Sequence, residues 1–136
     1  MTFQALHRRK VGLDSKPCDC AKVLLVDDNH INLLALRMIL RSHCRVETDE
    51  VSNGEQAVAR ARASLQRYCC GPYRVVFMDI NMSIMDGYTA TEEIRMFLSK
   101  QKTYIVGASA YPSSEIEARG NLAGMDEYLS KPINPD

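Results

Sequence analysis

The sequence predicts an α/β fold in which one parallel sheet of five strands is covered by helices on both faces. Short apolar runs of strand length alternate along the chain with segments of helical periodicity, a pattern typical of such sheets. The runs at 22–26 and 73–78 are unbroken, as expected for strands buried on both faces, and each is followed by aspartate. The length of 136 residues is that of one domain, and no internal repeat is present.

Composition narrows the possible classes of function. The chain has 17 basic and 17 acidic residues, so it has no basic surplus for binding nucleic acid. No apolar run approaches the roughly 20 residues of a membrane-spanning helix, and the N-terminus lacks the apolar core of a signal peptide. We therefore expect no nucleic-acid partner, no membrane insertion in this segment and a cytoplasmic location.

The spacing of the five cysteines predicts no dedicated site. Their odd number and irregular spacing argue against a disulfide framework. Cys18 and Cys20 are separated by one residue, and Cys69 and Cys70 by none, whereas paired zinc ligands usually have two residues between them. We therefore expect these residues, and Cys44, to be reduced thiols.

The chain divides into a tail and a domain. Residues 1–21 are polar and lack clear periodicity, so we predict a flexible N-terminal extension, followed by a folded domain over 22–136. The first strand, 22–26, leads into a helix over 29–43 that Asp28 or Asn29 can cap. This helix carries two apolar stripes, of which only one can face the sheet. The first stripe is Leu33, Leu36 and Leu40, and the second is Ile31, Leu34 and Met38.

The remaining segments continue the alternation of strands and helices. Ser52 and Glu55 have the spacing of a capping box at the start of the second helix, and Ser113 can cap the last one. The further strands are predicted over 45–51, 73–78, 103–108 and 126–129, and the further helices over 56–67, 87–99 and 113–123. Right-handed crossovers restrict the topology of such a chain to a few arrangements.

Three acids occupy the positions where strands end. Asp27 and Asp28 close the first strand and Asp79 closes the third, and in parallel sheets the active crevice lies beyond these ends. If the strand order is 2-1-3-4-5, the first and third strands are neighbours and the three carboxylates converge. Like charges at close range need a cation to offset their repulsion. Hard carboxylate oxygens suit Mg²⁺, an ion that often also binds a substrate phosphate, so the three acids imply a metal and phosphate chemistry.

The same positions suggest roles in phosphoryl transfer. Asp79 stands alone at its strand end and is the best candidate for the nucleophile, while Asp27 and Asp28 hold the metal. Two further groups can stabilise charge on the transferred phosphoryl group. Ser109 follows the fourth strand and offers a hydroxyl, and Lys131 follows the fifth and offers a positive charge.

Five motifs in order resemble the signature of response-regulator receiver domains. They are 26–29 (VDDN), 78–82 (MDINM), 85–87 (MDG), 108–110 (ASA) and 128–132 (YLSKP). The resemblance extends from residue 22 to the end of the chain. The stretches 27–32 and 129–133 are most similar to receiver domains of hybrid histidine kinases, so the chain could be part of such a kinase.

The resemblance implies a flavodoxin-like (βα)5 fold and a role as phosphoacceptor in two-component or phosphorelay signalling. Asp79 would take the phosphoryl group from a phosphohistidine, switch the domain's conformation, and lose the group by slow self-catalysed hydrolysis. Mg²⁺, with Mn²⁺ as an alternative, would be bound directly by Asp28 and Asp79, by Asp27 partly through water, and by the backbone carbonyl of Asn81. The partner would be a histidine kinase or histidine phosphotransfer protein that docks near the first helix.

The resemblance also implies a conformational switch and residues that tune the lifetime of the phosphoryl group on Asp79. Ser109 and Tyr128 would form the switch, with the hydroxyl moving toward the phosphoryl group and the ring turning inward. Lys131 would pair with the phosphoryl group, and the peptide bond that follows it would be cis. Asn81 and Tyr111 occupy positions that tune phosphoryl lifetime in this family.

The sequence departs from the family at several positions. Ser83 replaces a common proline, Gly107 replaces a larger residue, and Ser109 replaces the more frequent threonine. The sequence contains no fifth helix after Pro132, so we expect that helix to be missing or truncated. We therefore hypothesise that the second apolar stripe packs against residues 3–6 or against a second copy of the chain in a homodimer.

Three other functions compete with this interpretation. A phosphatase of the haloacid dehalogenase group needs a second aspartate where this chain has Asn81. A flavodoxin-like cofactor binder would hold phosphate after the first strand, where Asp27 and Asp28 would repel it. A degenerate receiver, kept only as a protein-interaction module, would not need the complete set of acids and Lys131.

Overall fold

The computed structural model describes residues 20–134, and its centre is one sheet of five parallel strands. The strands lie in the order β2-β1-β3-β4-β5, which confirms the predicted fold class and strand order. Their bounds are β1 Val23–Val26, β2 Thr48–Val51, β3 Val75–Asp79, β4 Tyr104–Ser109 and β5 Glu127–Ser130. The predicted flexible extension, 1–21, lies outside the described residues except for its last two positions.

Helices follow the first four strands, and a side chain caps each of them. Their bounds are α1 His30–Ile39, α2 Gly54–Ser64, α3 Gly87–Arg95 and α4 Ser114–Ala123, with the caps Asn29, Asn53, Asp86 and Ser113. A π-helical turn over Leu40–Cys44 extends α1. No helix follows β5 within residues 20–134. None of the helices in this part of the chain is long and apolar enough to cross a bilayer.

The capping box predicted for α2 is wrong by one residue. Asn53, not Ser52, is the cap, and its side chain accepts a hydrogen bond from the backbone N–H of Gln56. The side chain of Gln56, not Glu55, reaches back and accepts the backbone N–H of Ser52 at 2.9 Å. Gln56 thus accepts the N–H of the residue before the cap rather than that of Asn53, so the contacts differ from those of the predicted capping box, and spacing alone does not identify the register.

The two faces of the sheet are covered unequally. Strands β1 and β3 are buried along their whole length, as the apolar runs predicted. Three helices, α2, α3 and α4, pack on the face that carries Leu24, Val76 and Ile105. Among the described residues, α1 and its π-helical turn are the helical cover of the other face, which carries Leu25 and Phe77.

The two stripes of α1 have different environments. Leu33, Leu36 and Leu40 are buried against the sheet. The second stripe remains exposed among residues 20–134, with 76% of Ile31, 45% of Leu34 and 61% of Met38 accessible to solvent. Residues 3–6, the hypothesised cover, lie outside the described residues.

Gly87, the first residue of α3, is in close contact with the strand end that carries Asp79. Its backbone N–H donates to the carbonyl of Ile80 at 3.0 Å. A Cβ atom at this position would overlap the backbone carbonyl oxygen of Asp79 and lie 2.9 Å from the Cα of Ile80. Backbone atoms at the end of a central strand cannot move aside as a flexible side chain can, so only glycine fits here.

We therefore predict that Gly87→Ala destabilises the domain by about 1–3 kcal/mol, the usual penalty for overpacking. The measurement is the free energy of unfolding in urea. Thr89→Ala, an exposed position in the same helix, is the control and should change it by less than about 0.5 kcal/mol. Equal stability of the two variants would contradict the close contact.

Candidate functional site

Three carboxylates converge at the C-terminal edge of the sheet. Parallel pairing aligns Val26 of β1 with Met78 of β3, so the next residues, Asp27 and Asp79, lie side by side. One carboxylate oxygen from each of Asp27, Asp28 and Asp79 lies within 4.8 Å of the others. Asp27 and Asp79 are buried, whereas Asp28 is exposed. The structure therefore brings together the three acids that the sequence placed at strand ends.

Lys131, the residue after β5, contacts two of these acids. Its Nζ lies 2.9 Å from Oδ2 of Asp27 and 2.8 Å from Oδ1 of Asp79. The backbone N–H of Lys131 donates to the carbonyl of Ser109 at 2.9 Å, which fixes the start of this segment against β4. The peptide bond between Lys131 and Pro132 is cis, as the resemblance implied.

The charged groups of this site shift one another's pKa values. Burial is the main cause that raises the pKa of Asp79 to about 6, and the neighbouring charge of Asp27 adds to it, while Lys131 opposes the rise. Burial lowers the pKa of Lys131, but its hydrogen bonds to Asp79 and Asp27 outweigh this and hold the pKa above its usual value. A second cation at this edge would therefore relieve the repulsion between Asp27 and Asp79.

The carboxylate of Asp27 is held in position by the start of α1. Its Oδ1 accepts the backbone N–H of Asn29 at 2.9 Å, and its Oδ2 accepts the side-chain amide of Asn32 at 3.2 Å. Asn32 was not among the predicted site residues. Its position one turn into a helix that begins at the acids is the signal that could have identified it.

The other predicted residues surround the acids with different degrees of contact. The backbone N–H of Asn81 donates to Oδ1 of Asp79 at 3.3 Å, and its side chain is exposed. Ser109 is buried at the end of β4, where its Oγ accepts the backbone N–H of Tyr111 at 3.1 Å. The side chain of Tyr111 is 81% exposed. Ile84, which follows Ser83, has a positive φ of 73° in the loop after β3.

Tyr128 is half-buried, and its hydroxyl contacts α4. The hydroxyl lies 2.9 Å from the carbonyl oxygen of Glu117 and 3.0 Å from Oδ1 of Asn121, either of which can accept its hydrogen. A Cβ on Gly120 would overlap this hydroxyl, and one on Gly107 would lie 3.3 Å from the ring. A Cβ on Gly107 would also lie 2.6 Å from the sulfur of Met125, so the glycine leaves room chiefly for that methionine and only secondarily for the tyrosine ring. Burial raises the pKa of Tyr128 to about 12.

A family model described as the response regulator receiver domain matches residues 23–136. The chain belongs to this family. The family assignment confirms the resemblance drawn from the five motifs, and it makes the acidic edge of the sheet the candidate active site of a receiver domain.

The related proteins include both hybrid kinases and small regulators. The receiver domain is 36% identical over 115 residues to hybrid signal transduction histidine kinase L of Dictyostelium discoideum, covering 82% of this chain but only 6% of that protein. It is 34% identical over 116 residues to the two-component response regulator ORR41 of Oryza sativa subsp. japonica, covering 85% of this chain and 86% of the relative.

Two solved receiver structures are informative about ligands and partners. The receiver domain of the histidine kinase CKI1 from Arabidopsis thaliana, complexed with Mg²⁺, has 30% sequence identity and a TM-score of 0.67, covering 84% of this chain and 85% of that one. The second is a complex from Saccharomyces cerevisiae of the histidine phosphotransfer protein Ypd1 with the receiver domain of Ssk1. The match has 27% sequence identity and a TM-score of 0.71, and it covers 88% of this chain and 83% of the matched chain.

The raised pKa of Asp79 predicts how stability depends on pH in the metal-free domain. The folded state binds this proton more tightly than the unfolded state, where the pKa is near 3.8. The unfolded state therefore holds fewer protons between about pH 4 and about pH 6, and the free energy of unfolding falls as pH rises through that window. Above it, the contribution of Asp79 is constant.

We predict that Asp79→Asn, which cannot titrate, reduces this decline. The measurement is urea unfolding with a chelator present, at several values across the window. Asp86→Asn is the matched control, because asparagine also caps a helix, and it should retain the wild-type decline. Parallel profiles for wild type and Asp79→Asn would show that the pKa of Asp79 is not raised.

Proposed function

We propose that this receiver domain accepts a phosphoryl group from a phosphohistidine onto Asp79 in a Mg²⁺-dependent reaction. The observation that supports this most directly is the buried carboxylate of Asp79, placed between the ammonium of Lys131 and the carboxylates of Asp27 and Asp28. An acid in such surroundings is an activated candidate nucleophile with a fixed orientation. A cytoplasmic location is part of this proposal.

The proposed step transfers phosphorus from nitrogen to oxygen. An oxygen of the ionised Asp79 attacks the phosphorus, an O–P bond forms, and the N–P bond breaks with its electron pair returning to the imidazole nitrogen. Lys131, now 2.8 Å from Asp79, would donate to a phosphoryl oxygen and offset its negative charge. The hydroxyl of Ser109 would donate to another phosphoryl oxygen.

The donor set at this edge fits Mg²⁺. Carboxylate oxygens within 4.8 Å of one another are hard ligands, and the exposure of Asp28 leaves space for water and phosphate oxygens. We infer that Asp27, Asp28 and Asp79 hold the ion with the backbone carbonyl of Asn81, and that Mn²⁺ can substitute. When bound, the ion supplies positive charge to phosphate oxygens. The Mg²⁺ complex of the CKI1 receiver domain supports this assignment.

Ser109 and Tyr128 are the proposed switch. Ser109 now accepts a backbone hydrogen bond from Tyr111, and Tyr128 is bonded to α4. Movement of the hydroxyl of Ser109 to the phosphoryl group would break its hydrogen bond with the backbone N–H of Tyr111. That movement would leave space beside β4 for the ring of Tyr128. Asn81 and Tyr111 border this region and are the proposed residues that set the lifetime of the aspartyl phosphate.

The role of Asp79 as acceptor can be tested with a small phosphoryl donor. Incubation with acetyl phosphate and Mg²⁺ should add the mass of one phosphoryl group to the wild-type chain, because Asp79 can attack this small donor. Asp79→Asn should gain nothing, and removing Mg²⁺ with a chelator should abolish the gain. Intact-mass spectrometry makes the measurement.

The control for this experiment is Asp86→Asn, which changes a helix cap outside the acidic cluster and should be phosphorylated like wild type. No mass gain in folded wild-type protein would favour the alternative of a degenerate receiver that serves only as a protein-interaction module. A gain that persists in Asp79→Asn would show that another residue is the acceptor.

The exposed stripe on α1 is the proposed docking surface for a histidine kinase or histidine phosphotransfer protein. Ile31 and Leu34 project from the helix that begins at Asn29, one residue after the exposed Asp28, so a partner seated there is adjacent to the acids. The complex of Ypd1 with the Ssk1 receiver supports this class of partner. A homodimer through the same stripe is the competing arrangement, and sedimentation would reveal it.

We predict that Ile31→Ala and Leu34→Ala each slow phosphotransfer from phosphorylated Ypd1, used as a probe, by about fivefold or more at limiting concentration. This corresponds to about 1 kcal/mol of lost interface contact. Leu122→Ala is the matched control, since Leu122 is 90% exposed on α4, away from the stripe. All three variants should react normally with acetyl phosphate, which separates docking from chemistry. Equal rates for the three variants with Ypd1 would place the docking surface elsewhere.

A further inference from the structure

Three cysteine side chains meet at the edge of the sheet opposite the acids. Cys20 lies just before β1, and Cys69 and Cys70 lie in the loop that leads to β3. The Sγ atoms of Cys20 and Cys69 are 3.4 Å apart, and those of Cys69 and Cys70 are 3.6 Å apart. All three sulfurs lie within 4.8 Å of one another and are partly buried. Spacing along the chain concealed this cluster, because Cys69 lies 49 residues after Cys20 in the sequence.

The two segments that carry these cysteines are held together by Arg67. Its Nη1 donates to the carbonyl of Ala21 at 2.7 Å, and its Nε donates to the carbonyl of Gly71 at 3.1 Å. These carbonyls belong to the chain neighbours of Cys20 and Cys70. The guanidinium group also lies over the ring of Tyr73, 4.4 Å from its centre. The sulfurs are thus brought together by a fixed framework of hydrogen bonds.

Arg67 also makes the surroundings of the cluster electropositive. Its Nη2 is buried and has no hydrogen-bond partner within residues 20–134. Thiolate is the form that binds soft metal ions, so each thiol of the cluster gives up its proton when a metal binds.

We propose that Cys20, Cys69 and Cys70 form a thiolate site for Zn²⁺. Zinc–sulfur bonds of about 2.3 Å in a tetrahedral site place neighbouring sulfurs roughly 3.8 Å apart. The observed separations of 3.4 and 3.6 Å are close to this value. On binding, each of the three S–H groups releases its proton to solvent and forms one sulfur–metal bond. The fourth position is left for water or another ligand.

A metal accounts for the cluster better than a disulfide does. A disulfide joins two sulfurs at about 2.05 Å and leaves the third unused. Bonding Cys20 to Cys69 would bring these two sulfurs more than an ångström closer together than they lie here, and away from the geometry of three metal ligands. A metal binds all three sulfurs near their present positions. Zinc there would connect the segment before β1 to the loop between α2 and β3, independently of phosphoryl chemistry at the other edge.

The test is Co²⁺ and Zn²⁺ binding to the reduced, metal-free full chain, with Co²⁺ as the spectroscopic probe. We expect one Co²⁺ per chain with thiolate-to-cobalt charge-transfer absorption in the near ultraviolet, displacement of Co²⁺ by Zn²⁺, and release of protons to a pH indicator. Mg²⁺ should neither produce nor displace the signal, because magnesium avoids sulfur.

Variants of the cluster keep the test specific. Cys20→Ser and Cys69→Ser should each weaken Co²⁺ binding by roughly tenfold or more, since disturbing even an indirect partner of a metal ligand has that effect. Cys44→Ala is the matched control, because Cys44 is buried under α1, and it should bind like wild type. Cys70→Ser replaces either variant if circular dichroism shows that it does not fold.

Three results would overturn the proposal. The first is the absence of charge-transfer absorption in the wild-type chain. The second is binding that is unchanged in both Cys20→Ser and Cys69→Ser. The third is loss of two titratable thiols under mild oxidation in a chain that takes up no metal, which would identify the cluster as a redox pair.

Discussion

The ammonium of Lys131, in contact with the buried carboxylates of Asp27 and Asp79, is the interaction on which the functional edge of this domain depends. Two like charges at neighbouring strand ends repel each other, and burial strengthens that repulsion. Lys131 offsets part of it, yet the pKa of Asp79 remains raised, so the edge still favours an additional cation. The contact with Lys131 also holds the carboxylate of Asp79 in one orientation. The proposed phosphoryl transfer and the proposed metal binding would therefore both depend on this one arrangement of charge.

The two faces of the sheet are covered by different numbers of helices, and the helix on the less covered face carries the proposed docking surface. Three helices bury one face, whereas α1 and its π-helical turn are the helical cover of the other within residues 20–134. The helix that carries the exposed apolar stripe is also the helix whose start holds Asp27 in place through Asn29 and Asn32. A protein bound to that stripe would contact the helix that holds Asp27, so the proposed docking and the proposed chemistry would involve the same helix.

The two ends of strands β1 and β3 carry different types of candidate metal-binding side chain. Hard carboxylate oxygens collect where β1 and β3 end, and soft sulfur atoms collect where the same strands begin. Hydrogen bonds position each set, through Asn29 and Asn32 at one edge and through Arg67 at the other. Because the ligand types differ, Mg²⁺ and Zn²⁺ would not compete for the same edge.

Sequence alone determined the features that depend on neighbours along the chain. The unbroken apolar runs predicted β1 and β3, and the acids at strand ends predicted a charged edge. The sequence narrowed the cap of α1 to Asp28 or Asn29, of which Asn29 is the cap. Only the tertiary structure decided what depends on distant segments meeting. The meeting of Cys20 with Cys69, and the hydrogen bond from Arg67 to Ala21, join residues that are far apart in the chain. The pairing of β1 with β3 brings these groups together, and the spacing of the groups along the chain gives no sign of it.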